Sequence, residues 1–381
     1  GPIIDTEALQ EFLDADNGCI VVDEDKTDIE NLIDDFIVEE RVFAGYAMGS
    51  FEIGDRLTIL GGVRVEHTEN EGSGFEIAEE TVETAPISNE GDYTNALPNL
   101  HLRYRLGENT QARFAWTNTV GRPALNDLAP RRSVEFTEDP DDPEFFNGSF
   151  SDGNPNLDPF TSSNLDVSFE HYLEDNLGIV SVALFYKDIE DFIVEETVDL
   201  AGGSSGVDEF TFSGLTFTEL RVTRPVNAQD GELLGTELGY TQQWDFLPSF
   251  FRNFGTSVNY TYVDGELNLD GRTVGFPKQS EHIFSVRGFY ESEKVEVNIT
   301  FNRTSEFLDE VGGGPAGDIF INDSERLDLN ARYRIGNGVS AFVEWRNINN
   351  EPEREFQATP RQVTGFSEQG ETVFLGFDFR I

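Results

Sequence analysis

The chain has 381 residues and a formal net charge of −47, from 73 Asp and Glu against 26 Lys and Arg. Such an excess of carboxylates excludes nucleic acid as a partner held by charge attraction. A single cysteine, Cys19, excludes an intrachain disulfide framework and a multi-cysteine metal centre.

Residues 1–39 are strongly acidic and lack sustained strand alternation. TEALQEFL (6–13) and TDIENLIDDF (27–36) have helix-like spacing over short runs. They predict a surface segment with one or two helical turns. DADNGCIVVDED (14–25) is a weak match to a calcium loop, with its glycine one place early.

From Glu40 a different rhythm begins. VFAGYAMGSFEI is followed by the tight turn Gly54-Asp55 and then RLTILGGVRVEHTE. There Leu57, Ile59, Val63 and Val65 share one face against Thr58, Arg64 and Glu66. A polar connection over 70–92 leads to ALPNLHLRYRL, the turn GEN and TQARFAWTNTV. A connection rich in Pro, Asp and Phe (122–160) precedes a long hairpin. In its first arm Leu165, Val167 and Phe169 oppose Asp166, Ser168, Glu170 and Tyr172; in its second, Val180, Val182, Leu184 and Tyr186 oppose Ser181, Ala183 and Lys187. Both arms reach roughly the 9–11 residues a tilted strand needs to cross a bilayer. The connection 198–230 has room for a small hairpin of its own near Phe210–Arg221. Seven further alternating runs follow, from ELLGTELGYTQQWDF to ETVFLGFDFRI.

This pattern predicts about thirteen strands, joined alternately by short and long connections. Every long loop then lies at one end. Tyr104, Trp116, Tyr172, Tyr186, Tyr290, Tyr333, Trp345 and Phe379 cluster near strand ends. No apolar run approaches the ~20 residues of a membrane helix. The predicted fold class is therefore all-β, an antiparallel transmembrane β-barrel with aromatic girdles. The competing reading is a soluble, secreted β-rich glycan-binding protein or adhesin, whose surface the acidic residues would solubilise.

Four stretches carry a family resemblance: AGYAMGSFEIGDRLTILGGVRVEHTE (44–69); ARFAWTNTVGRPALNDLAP (112–130) with GNPNLDPFTSSNLDVSFEHYL and FYKDIEDFI; RPVNAQDGELLGTELGYTQQWDFLP (224–248); and RLDLNARYRIGNGVSAFVEWRNINNEPEREF with the terminal GETVFLGFDFRI. Together they resemble the C-terminal barrel portion (40–381) of a TonB-dependent outer-membrane receptor, closest in tone to Caulobacter-type members. Ile381 stands where an aromatic is usual. The resemblance implies a Gram-negative outer-membrane location among lipid and lipopolysaccharide. It also implies active uptake of a scarce small-molecule ligand such as a siderophore, cobalamin or an oligosaccharide. The TonB–ExbB–ExbD complex would drive this transport through a plug domain. Barrels of this class have 22 strands around a plugged lumen. The expectation is that a plug and about nine strands lie elsewhere, on another part of the receptor or a separate chain. Residues 1–39 would then form an acidic extracellular segment.

No nucleophile–base constellation appears, and the expectation is a transporter without enzymatic activity. His67, His101, His171 and His282 stand singly on strands without metal-ligand spacing. No cofactor is expected, although the acidic loops could gather a divalent cation. Arg64, Arg103, Arg105, Arg113, Glu170, Arg332 and Arg334 alternate with apolar residues and are predicted to face the lumen. They form either a wetted wall that contacts the plug or a polar conduit for the ligand. The candidate ligand-binding residues are Arg131, Arg132, Phe145, Phe146, Phe150, Phe160, Phe210 and Phe212. Exposed aromatics beside polar groups suit stacking on a sugar or a planar catechol. Packing of these loops on one another is the alternative.

Overall fold

A computed structural model describes residues 35–78, 83–138, 146–174, 177–201, 210–212, 215–228, 230–269, 271–336 and 338–379. Thirteen long strands form a meander: β1 (Ile37–Ile53), β2 (Leu57–Ala78), β3 (Glu83–Arg105), β4 (Thr110–Gly121), β5 (Phe160–Tyr172), β6 (Gly178–Glu190) and β7 (Asp230–Gln243), then β8 (Phe254–Leu269), β9 (His282–Glu291), β10 (Val295–Thr304), β11 (Ser324–Gly336), β12 (Val339–Arg346) and β13 (Thr372–Phe379). Each pairs antiparallel with the next. Six loop strands extend this into one 19-stranded sheet: Arg132–Glu138, Phe146–Asp152, Ile193–Ala201, Phe210–Phe212, Leu215–Asn227 and Arg272–Val274. A separate four-stranded sheet joins Phe307–Glu310, Ile319–Ile321, Glu353–Gln357 and Val363–Ser367.

The register carries one apolar face across the whole meander. Phe114 lies opposite Val167, Val167 opposite Leu184, and Val182 opposite Leu238. Further along, Ile299 lies opposite Leu329, and Val343 opposite Leu375. These side chains are not packed under a second sheet: Leu184 is 55% exposed, Leu238 45%, Ile299 47% and Leu375 77%. A soluble sandwich buries the corresponding face, so the adhesin reading fails on this observation. An exposed oil-like face on a sheet whose backbone groups are paired across strands is what hydrocarbon tolerates. Of the predicted girdle residues, Tyr104, Trp116, Tyr186, Tyr290, Tyr333, Trp345 and Phe379 lie on this face. Tyr172 does not. It occupies the polar face, where its hydroxyl donates to Glu170 Oε2 at 2.9 Å.

Three other expectations shift. The first strand begins at Ile37, three residues before the expected boundary. The polar connection 70–92 proves to be hairpin: β2 and β3 stay paired out to Ala78 and Glu83. One face of it is covered, since Gly72 and Gly74 are buried against Pro130 while Glu71 and Ser73 are exposed. Because the covered positions are small or polar, the sequence lacks apolar contrast. The small hairpin does form, between Phe210–Phe212 and Leu215–Phe217. The predicted helical turns and the calcium-like loop lie outside the described residues, apart from Asp35 and Phe36, which are non-helical.

Among the described residues β1 pairs only with β2, and β13 only with β12. With every junction antiparallel, β1 and β13 run in the same direction. Joining those two edges directly would therefore make a parallel seam in an otherwise antiparallel wall.

The two faces predict opposite tolerances at adjacent positions. Ile299→Arg, on the apolar face, should lower stability in lipid vesicles by about 2–4 kcal/mol. Asn298→Arg, on the polar face, should cost less than ~1 kcal/mol. Denaturant unfolding of the two variants checks this.

Candidate functional site

The predicted lumen residues all fall on the polar face. Arg103 lies directly opposite Arg113, and Arg105 opposite Gln111. Glu170 gathers this corner: Arg113 Nε approaches it at 3.2 Å and Gln111 Nε2 donates to it at 2.7 Å. Arg103 donates to Thr58 Oγ1 at 3.2 Å and, like Arg105, makes no ion pair among the described residues. On the other flank Arg332 pairs with Asp378, while Arg334 donates to the Glu293 carbonyl at 3.1 Å. Arg64 pairs with Glu66, a carboxylate only 8% exposed that Arg122 also holds from beyond the end of β4. Sequence reasoning missed Glu66 and Arg122 as partners. The signal available was an arginine just past a strand end (Gly121-Arg122-Pro123) above a buried acid.

A second feature of this face was not anticipated. Four phenylalanines lie across a glycine on the adjacent strand: Phe160 over Gly121, Phe185 over Gly235, Phe289 over Gly255 and Phe342 over Gly376. A Cβ at Gly235 would sit 2.2 Å from the Phe185 ring and 2.7 Å from the Tyr262 carbonyl oxygen. Cations cap several rings: Lys187 Nζ is 6.0 Å from the Phe185 centroid and Arg287 is 5.1 Å from that of Phe289. Each ring fills the place a side chain would take at its glycine.

The long loops fold over one end of this face. Their apolar centre comprises Ile189, Val194, Ala228, Leu267, Leu269, Val274, Phe276, Leu308 and Val311, with Phe160 and Phe192 packed against it. Here two of the candidate aromatics are corrected from exposed to packed. Phe150 is 3% exposed and meets Phe217 edge-on at 6.1 Å. Phe160 is half-buried and stacks toward Phe192 at 5.5 Å, which in turn meets Phe276 at 5.2 Å. Their burial comes from strands distant in sequence: Phe146–Ser151 pairs in parallel with Phe217–Thr223.

The other candidates are partly drawn together. The backbone of Phe146 lies opposite Phe217, as does that of Phe210, while Phe212 pairs with Leu215. Arg132 sits opposite Asp152 and Glu76. Arg131 lies 5.2 Å from the Phe36 ring, and Phe145 is outside the described residues. The loops also form an open pocket of about 450 Å³, lined by residues that include Asp264, Phe276, Gln279, Phe307 and Phe320 and none of these candidates. Arg272 pins its wall by pairing with Asp318, which also accepts from the Gly312 N–H at 3.0 Å. Among the described residues no group of three or more His, Cys, Asp or Glu is arranged to hold a metal ion.

Asn227 latches the loops. It accepts from the Asp158 N–H at 3.0 Å and donates to the Asp158 and Asp191 carbonyls at 2.9 and 2.7 Å. Burial, reinforced by Asp158 and Asp230, holds the Asp191 carboxyl above the usual carboxylate range. Glu310 is raised likewise by burial and by Asp309, Glu195 and Glu355.

Residues 14–348 match the family model "TonB dependent receptor-like, beta-barrel". The chain belongs to that family. It is similar in fold to the ferric-catecholate import receptor Fiu from E. coli K12, at 15% identity, with a TM-score of 0.61, covering 91% of this chain and 45% of that one. The ferric yersiniabactin uptake receptor FyuA from Yersinia pestis matches at 14% identity and TM-score 0.59, covering 90% of this chain and 46% of its own. The copper transporter OprC matches at 14% identity and TM-score 0.63, covering 90% and 48%. The chain thus spans somewhat less than half the length of these structures. No curated protein matches it.

Asn227→Ala should unlatch the loops by about 1–3 kcal/mol while leaving the wall intact. Faster amide exchange over 153–160 and 191–193, with unchanged exchange in β5 and β6, checks this. Because Asp191 and Glu310 bind their protons more tightly when folded, the loops should gain protection as pH falls. That stability is full below the ordinary carboxylate range, about 4, and is lost as pH rises through the raised values. Exchange corrected for its intrinsic pH dependence checks the sign.

Proposed function

We propose that this chain forms the C-terminal wall of an outer-membrane receptor for energised uptake of a scarce small molecule. The observation that carries the reading is the two-faced meander. An apolar face exposed across thirteen strands suits lipid, and the opposite polar face is overhung by long loops at one end. Such a wall bounds a wet passage whose mouth the loops guard.

The wall reading requires more strands. Antiparallel closure between β1 and β13 needs an odd number of additional strands, and nine would complete the 22 of this transporter class. These strands, and a plug through which TonB–ExbB–ExbD acts, belong to the rest of the receptor. Lipid and lipopolysaccharide surround the wall, in the outer membrane of a Gram-negative cell.

Among ligands, a ferric catecholate-type siderophore is favoured over cobalamin or an oligosaccharide. The support is the loop pocket, where Phe307 stands beside Gln279 and Arg272 among Asp264, Glu281, Glu306 and Asp318, while Phe276 and Phe320 are packed on Phe192 and Phe356 behind it. A flat aromatic ligand stacks on a ring such as Phe307. A divalent cation held by loop carboxylates is compatible with the charge and is not required by the mechanism.

The test is uptake of a radio-iron-loaded catecholate siderophore by cells carrying or lacking the full receptor. Uptake should need both the receptor and TonB, and Phe307→Ala with Phe320→Ala should reduce it about tenfold with barrel yield unchanged. Receptor-independent uptake would reject the transport reading for this ligand class.

A further inference from the structure

Most connections at the end opposite the loops are short, such as Gly54–Arg56, Leu106–Asn109 and Ser292–Lys294. The link between β7 and β8 differs. Its sequence, WDFLPSFFRN (244–253), carries a 3₁₀ turn over Ser249–Asn253 that sets Phe250 and Phe251 side by side, their ring centroids 4.6 Å apart. Phe250 packs against Phe254 at 5.4 Å and Tyr290 at 5.7 Å, and Trp244 stacks on Phe254 at 6.5 Å. Despite these contacts Phe246 is 67% exposed, Phe250 51% and Phe251 53%.

The side of the wall on which this cluster lies decides its partner. Phe254 is opposite Tyr290, Tyr290 opposite Val297, and Val297 opposite Ala331, all on the apolar face. The rings therefore continue the apolar face beyond the strand ends and do not turn toward the polar side. Asp245 and Arg252 flank them. Exposed rings mixed with charged groups at the rim of an apolar band suit the boundary between lipid headgroups and acyl chains, where Trp and Tyr concentrate in membrane proteins.

We propose that residues 244–253 form a membrane-interface anchor, seated in the phospholipid headgroup–acyl boundary of the leaflet at the short-turn rim. It rests on the reading of the apolar face as lipid-facing. The partner is lipid, because the cluster is continuous with that face. The consequence is a fixed height of the wall in the bilayer, since rings with a preferred depth resist vertical displacement.

The experiment uses the full receptor with Cys19→Ser, reconstituted in vesicles of phosphatidylethanolamine and phosphatidylglycerol. A nitroxide is attached at Phe250→Cys, at Leu184→Cys on the wall, or at Glu368→Cys in a long loop. Collision with oxygen is compared with collision with a water-soluble nickel chelate. The oxygen-to-nickel ratio at position 250 should exceed that at 368 by roughly threefold, below the ratio at 184. If 184 favours oxygen but 250 matches 368, the anchor is overturned while the membrane reading stands. Shielding of 250 from both reagents means protein contact and also overturns it. If 184 itself favours nickel, the lipid-facing wall is wrong and the anchor falls with it. Phe246→Cys, at a more exposed ring, supplies the same readout should the first variant assemble poorly.

Discussion

The structure depends on one constraint: a sheet that pairs its backbone groups across strands while leaving one entire face oily and uncovered. Water does not tolerate that face, and hydrocarbon does not tolerate unpaired backbone groups. The meander meets the second demand through its twelve junctions and leaves the first to its surroundings. Much else follows. Between the strand ends the charged residues keep to the opposite face, where Arg113 and Gln111 meet Glu170. Phe160, Phe185, Phe289 and Phe342 on that face lie over glycines of the adjacent strands.

The loops are built on a different principle. Away from the membrane they behave like a small soluble protein, with a core around Leu267, Phe276 and Leu308 and polar latches such as Asn227. The segments that carry the latches, around 121–130, 153–160 and 224–228, are those that carried the family resemblance. Their shared motif is thus a description of how neighbouring loops interlock. Gly153 makes the point: a Cβ there would meet the Ala129 carbonyl oxygen at 1.9 Å, so only glycine permits the two segments to touch.

Alternation made the wall legible from the residues alone. In the middle of β5 the odd and even sets differ sharply, so face and strand were readable together: Leu165, Val167 and Phe169 against Asp166, Ser168 and Glu170. In the upper hairpin of β2 and β3 the covered face is made of Thr68, Gly72 and Gly74 and not of apolar side chains, so the contrast vanishes and hid the pairing there. Whether Phe150 and Phe160 pack or stay exposed was left open by the residues for another reason. Phe150 meets Phe217 and Phe160 meets Phe192, and no local pattern reports contacts that far along the chain. The pairing of Phe185 with Gly235 likewise needs the register of β6 against β7, which periodicity alone does not supply. Tyr172 shows the reverse error, an aromatic near a strand end whose parity assigns it to the polar side.

The central claim is that the face bearing Trp116 and Trp345 contacts acyl chains. Tryptophan fluorescence in vesicles tests it most directly, with Trp244 and any tryptophan in the rest of the receptor replaced by Phe so that only these two residues emit. Lipids brominated along their acyl chains should quench the emission strongly, and aqueous iodide should leave it nearly unchanged. Strong quenching by iodide with none by the brominated lipids would contradict the account.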